Sequence, residues 1–179
     1  NTLRDKPRKA LKILQHRPDF AQMSWKGESK WIPGSTPLHW AAHDGNLDLV
    51  KILVQLGADI NANKADWWCR PIDWAADSGQ FEIVQFLLEN NAHFNGDKWS
   101  NCTPLHVVAQ GGSSNGKKDP ERYQKTTEIL INWGAEINAV AKYGGQPPEL
   151  TPLDDALKVG NKGVAEVLIQ NGGKIRSEL

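Results

Sequence analysis

The chain has few residues with which to do chemistry. Among its five histidines and two cysteines, His39 and His106 repeat one element, Thr-Pro-Leu-His, where a ring bonded to nearby backbone accounts for them. His16 and His93 lie far apart with no metal-ligand spacing. Cys69 and Cys102 are too few for a four-thiolate zinc site or a disulfide scaffold. "GGSSNG" (111–116) lacks the Lys-Ser/Thr ending and the preceding strand of a phosphate loop. His43 and Asp77 could be set out as an acid–base dyad. "NCT" (101–103) fits the glycosylation triplet, a weak signal beside a helix start. None of this amounts to a catalytic constellation, so no catalytic residue, metal or cofactor is assigned.

More unusual is "ADWWCRPIDWAA" (65–76), with Trp67, Trp68 and Trp74 inside eight residues. Three such side chains could be core, a ligand cage or a contact surface.

The elements that would position them follow from composition and periodicity. At 179 residues the chain suits one domain or a repeat array. Formal net charge is zero, which draws the whole chain neither to nucleic acid nor to an acidic membrane. No apolar run approaches the ~20 residues of a membrane span. The first residue is Asn1, which suggests that an upstream segment was removed, and the compartment is not legible from this end.

Internal repetition is the dominant signal. "TPLHWAA" (36–42), "RPIDWAA" (70–76), "TPLHVVA" (103–109) and "TPLDDA" (151–156) place Pro37, Pro71, Pro104 and Pro152 at steps of 34, 33 and 48. A glycine follows in each copy: Gly45, Gly79, Gly112 and Gly160. An amphipathic pattern comes next, as where Leu49, Val50, Leu53 and Val54 fall on one helix face. Proline suits a first helical turn, with threonine before it as N-cap. Gly57 and Gly134 end the second helix, with Asn91 in the same slot. A helix pair of this kind cannot bury its apolar face alone, so several must stack.

In its Thr-Pro-Leu-His, Ala-Ala, Gly and Gly-Ala-Asp-x-Asn elements, "TPLHWAAHDGNLDLVKILVQLGADIN" (36–61) resembles the ankyrin repeat family, over roughly residues 31–175. The resemblance implies an all-α solenoid of helix–turn–helix repeats joined by β-hairpin fingers. It divides a single domain, 1–179, into a capping region at 1–30 and repeats at 31–64, 65–98, 99–145 and 146–179. "ALKILQHRPDFA" (10–21) looks like the second helix of the cap. The repeat rise in this family, about 10 Å, exceeds the ~7 Å reach of a disulfide, so Cys69 and Cys102 are expected as reduced thiols.

Two copies depart from the pattern. Gly112 to Gly134 spans 22 residues where the other copies take 12. The surplus lies within "GGSSNGKKDPERYQK" (111–125), near 113–123, and its Gly, Ser, Asn and Pro read as a charged loop. "AVAKYGGQPPEL" (139–150) lengthens a finger.

Within this frame the resemblance places Trp40 and Trp74 on inner helices, half-buried and facing the groove. Trp31, Trp67, Trp68 and Trp99 fall in successive hairpins, where a row of tryptophans marks a contact surface. Trp25 and Trp133 read as local packing. His43, Asp77 and Gln110 occupy positions that vary in the family and face ligands. The expected function is a non-catalytic module that binds a folded protein through fingers and groove, as a monomer, without nucleic acid or membrane. Alternatives are a stand-alone, immunity-type inhibitor that blocks an enzyme, a fragment of a larger scaffold and, last, a ligand-binding or enzymatic pocket. Cytoplasm is the family default; a removed leader would place the chain in the periplasm or outside the cell.

Overall fold

The structure, a computed structural model, describes residues 16–23, 34–63, 69–96, 102–111, 119–142 and 149–179. Among the described residues four helix pairs follow one another. The inner helices are α1 (Pro37–His43), α3 (Pro71–Asp77), α5 (Pro104–Gln110) and α7 (Pro152–Val159). The outer helices are α2 (Leu47–Gln55), α4 (Phe81–Glu89), α6 (Pro120–Asn132) and α8 (Lys162–Gln170). Inner helices pack in series, α1 on α3, α3 on α5 and α5 on α7; outer helices do the same. The result is the stacked helical solenoid that the periodicity predicts.

Each inner helix starts where proline fixes φ and needs no N–H partner. The residue before it is extended, as at Thr36 (φ −100°, ψ 165°). The third helical residue then reaches back to that residue's N–H. His39 Nδ1 accepts from Thr36 N at 3.1 Å, Asp73 Oδ2 from Arg70 N at 2.7 Å, His106 Nδ1 from Thr103 N at 3.2 Å and Asp154 Oδ2 from Thr151 N at 2.9 Å. Histidine and aspartate are interchangeable here because each offers an acceptor at the same reach.

Close stacking depends on small side chains. Ala42, Ala76 and Ala109 are fully buried beneath the next inner helix. The equivalent Leu157 of α7 is 55% exposed. Leu38, Ile72 and Leu105 are also fully buried, each contributing about 2 kcal/mol. The outer helices end in a left-handed residue, Gly57 (φ 80°), Gly134 (φ 89°) and Gly172 (φ 87°), and Asn91 (φ 64°) takes that conformation in the second copy. A rung of asparagine then joins copy to copy. Asn61 Oδ1 accepts from His93 N, and Asn138 Oδ1 from Lys174 N, both at 2.7 Å.

The lengthened finger forms an antiparallel pair, β1 (Ala141–Lys142) with β2 (Glu149–Leu150), in the register Ala141↔Leu150. Before α1, a 3-10 turn, Pro18–Gln22, packs on that helix and buries Ala21. Residues 10–15 of the expected cap helix lie outside the described residues.

The expectations for the insertion and for Trp133 are corrected. The insertion is not loop throughout, because α6 begins at Pro120 and runs 13 residues against nine in the other outer helices. Asp119 caps it, its side chain accepting from Glu121 N at 3.2 Å. The glycine that closes α5 is Gly111 (φ 39°), while Gly112 falls outside the described residues. Trp133, read as packing, is 44% exposed. It follows the last residue of α6, in the slot that Leu56 half-fills in the first copy and that Asn90 and Asn171 leave exposed.

Candidate protein-binding site

The third residue after the inner proline is half-buried in the first three copies and buried, as Asp155, in the fourth. In α1 and α3 it is Trp40 and Trp74, both half-buried. Their rings meet edge to face, with centroids 5.0 Å apart and planes at 87°, the geometry that sets a ring's positive edge on its neighbour's negative face. His39 and His43 also approach Trp74, at 5.2 and 6.0 Å, again near perpendicular. Three rings of α1 therefore surround one ring of α3. The Trp40 indole N–H is used locally, donating to Ser35 Oγ at 3.0 Å.

The sixth residue after each proline forms a second line: His43, Asp77, Gln110 and Lys158. The first three are half-buried. His43 Nδ1 lies 3.1 Å from Asp44 Oδ1, with the two side chains 15% and 23% exposed. Structure thus brings Trp40, His43, Trp74 and Asp77 together on adjoining helices, with Gln110 one helix further on. Trp31, Trp67, Trp68 and Trp99 lie outside the described residues.

His39 and His106 are given over to architecture. Both are fully buried. Nδ1 accepts the N-cap N–H, which leaves the proton on Nε2. Nε2 then donates to the following hairpin, His39 to Cys69 O and His106 to Leu150 O, each at 3.1 Å. Burial pushes the His106 pKa down to about 4, against the smaller upward pull of its backbone bonds and of Asp154. Among the described residues no three His, Cys, Asp or Glu side chains are grouped to hold a metal, and no helix is long and apolar enough to cross a membrane.

Residues that sequence reasoning missed lie where α6 begins. Tyr123, 6% exposed, donates its hydroxyl to Asp77 O at 3.2 Å, and burial raises its pKa. Arg122 Nε donates to Gly79 O at 3.1 Å and Nη2 to Gln80 Oε1 at 2.6 Å. Gln80 Nε2 donates in turn to His43 O at 3.3 Å. The available signal was Asp119-Pro120-Glu121, an N-cap, a first-turn proline and an acidic second residue. It repeats the logic of Thr-Pro at the inner helices.

The architecture defines the class, a solenoid of helix–turn–helix repeats with a variable inner face. The profile of ankyrin repeats in three copies matches residues 8–98 and 74–178, and the chain belongs to the ankyrin repeat family. It is similar to Putative ankyrin repeat protein L91 of Acanthamoeba polyphaga mimivirus, 47% identical over 47 residues, covering 26% of this chain and 7% of that protein. It is also similar to the human Notch-regulated ankyrin repeat-containing protein, 54% identical over 35 residues, covering 20% of this chain and 31% of that one. The zebrafish (Danio rerio) Notch-regulated ankyrin repeat-containing protein A is 57% identical over 35 residues, 19% of this chain and 31% of its own length. The matched segment thus spans under a third of each relative. Ankyrin repeats are generally protein-binding modules and typically non-catalytic.

Proposed function

We propose that this chain is a non-catalytic interaction module that binds a folded protein partner through its inner-helix face and finger loops. The observation that carries the reading is the ring cluster of Trp40, His43 and Trp74 on two adjoining inner helices. Tryptophan is the residue most enriched where interfaces concentrate their energy. Asp77 and Gln110 extend the same face with polar groups, as a rim does around an aromatic centre. Trp31, Trp67, Trp68 and Trp99 are assigned to the finger part of the surface from their hairpin positions in the sequence. Zero net charge favours recognition by shape and aromatic anchors over electrostatic steering.

Site-specific photo-crosslinking in the native host tests the reading. A crosslinking residue at position 43, 77 or 67 should capture the same protein, whereas one at Lys51, exposed on α2, should not. Capture of that protein equally well from position 51, or only from there, would sink the assignment of the face. Trp67→Ala with Trp99→Ala should weaken capture if the fingers take part, and leave it intact if the inner helices suffice.

A further inference from the structure

We propose that the first turn of α6, supplied by the insertion in the third copy, is a strap that positions the contact residues of the first two copies. The proposal rests on the preceding reading only for the role of His43 and Asp77 as contacts. Its own basis is where the bonds of that turn end.

Three backbone carbonyls are gathered from one place. Tyr123 holds the carbonyl of Asp77, the last residue of α3. Arg122 holds that of Gly79 in the turn that follows. Through Gln80, Arg122 also reaches the carbonyl of His43, the last residue of α1. These are carbonyls at helix ends, which lack the partners that mid-helix carbonyls have. Asp77 and His43 are themselves among the contact residues of that reading, so the strap holds the backbone of one directly and of the other through Gln80.

The surroundings are shaped for this reach. Gly45 (φ 76°) leaves the space across which the Gln80 side chain lies; a Cβ there would stand 2.7 Å from Gln80 Oε1. Gly79 (φ 61°) lets the turn pass beneath α6, where a Cβ would meet Arg122 Cβ and Tyr123 Cε1 at 3.4 Å. The guanidinium and the Lys125 ammonium lie on the Phe81 ring, each 5.5 Å from its centroid. A guanidinium suits this task because it donates in two directions at once while its plane rests on a ring. An outer helix of nine residues, as in the other copies, would begin at Gln124 and contain neither Arg122 nor Tyr123. The extra turn therefore couples copy three to copies two and one.

Residue-resolved amide exchange on the full chain, with indole signals of Trp40 and Trp74 followed alongside, tests the strap without any partner. Arg122→Ala should speed exchange about tenfold at Ser78, Gly79 and Gln80, and more weakly at Asp44, Gly45 and Asn46, whose N–H groups close the two turns. Tyr123→Phe, which removes one oxygen and keeps the packing, should act at the Asp77 end alone. Glu128→Gln, on the exposed side of α6, should change nothing. Amides at Gly160 and Asn161, in the corresponding turn of the fourth copy, should stay as they were, and both indole signals should shift with Arg122→Ala. No change in exchange, or a uniform rise that includes Gly160 and Asn161, overturns the proposal. Faster exchange in the two turns with unmoved indole signals overturns it too, because the turns would then be held without the contact residues following. Failure of the crosslinking experiment leaves these results intact, so the two readings can fail separately.

Discussion

On α1 and α3 the third residue after proline is tryptophan, and the two rings meet at 5.0 Å among histidines. On α5 and α7 the same slot holds Val107, half-buried, and Asp155, buried. Beneath, the proline and the buried Leu or Ile that follows it are kept in all four copies, and the fully buried alanine in the first three, with Leu157 in its place on α7. The difference teaches how the two sides of an inner helix divide the work. Residues facing the stack are fixed by packing, since an alanine with no exposed surface tolerates no extra volume. The third slot after proline is held less uniformly, ranging from half-buried tryptophan and valine to a buried aspartate. The aromatic character of this chain's inner face is therefore concentrated in its first two copies.

The largest test of that contrast is truncation. Trp74→Ala should cost about 3 kcal/mol, at the low end for a tryptophan because the ring is only half-buried, and Val107→Ala about 1 kcal/mol. Urea unfolding of both would measure it. Equal losses would mean that the ring cluster contributes nothing beyond what the valine does.

A smaller contrast separates copies with histidine from copies with aspartate in the helix-start slot. His106 has a folded-state pKa of about 4 against an ordinary 6.5. Between those values the unfolded chain holds the extra proton, so stability is complete above pH 6.5 and falls as pH drops toward 4. At pH 5 the loss from this residue should be about 2 kcal/mol relative to pH 7, on the scale of about 1.4 kcal/mol per pKa unit. His106→Asn keeps an acceptor for the Thr103 N–H and has no proton to gain, so its stability should fall less over the same range. An unchanged pH slope in that variant would remove His106 as its source.

The smallest effect concerns the second copy, where Asn91 fills the glycine slot at φ 64°. Asn91→Ala should cost about 1 kcal/mol, because a Cβ is strained in that conformation and alanine lacks asparagine's local compensation. Asn91→Gly should match or slightly exceed wild type. Thermal unfolding of the three proteins orders them directly, and an alanine variant as stable as wild type would show that the turn had relaxed.

Much of this was legible in the sequence because its causes are local. Thr36-Pro37-Leu38-His39 states its own helix start. Asn91 could be aligned with Gly57 because few other residues visit that conformation. The helical start at Asp119-Pro120 carried the same grammar, yet ten surplus residues rich in Gly and Ser read as loop. The bonds of Arg122 and Tyr123 span 42 to 46 positions, and no local pattern announces a partner so distant. Thr126 and Thr127 show a related limit. Both are fully buried where other copies place apolar residues, and each satisfies its hydroxyl on a carbonyl one turn back at 2.8 Å. Trp133 was misplaced because large apolar residues are presumed to pack, and Leu56 in the same slot of the first copy does so in part.

The extra turn of α6 also bears on how the chain would respond to being pulled. An array joined only by neighbouring rungs, such as Asn61 to His93, peels one copy at a time, each of 33 or 34 residues releasing about 110 Å of slack. The Arg122–Gln80–His43 line adds a second link at each of the first two junctions. Under load those junctions would then part at higher force than rungs alone allow.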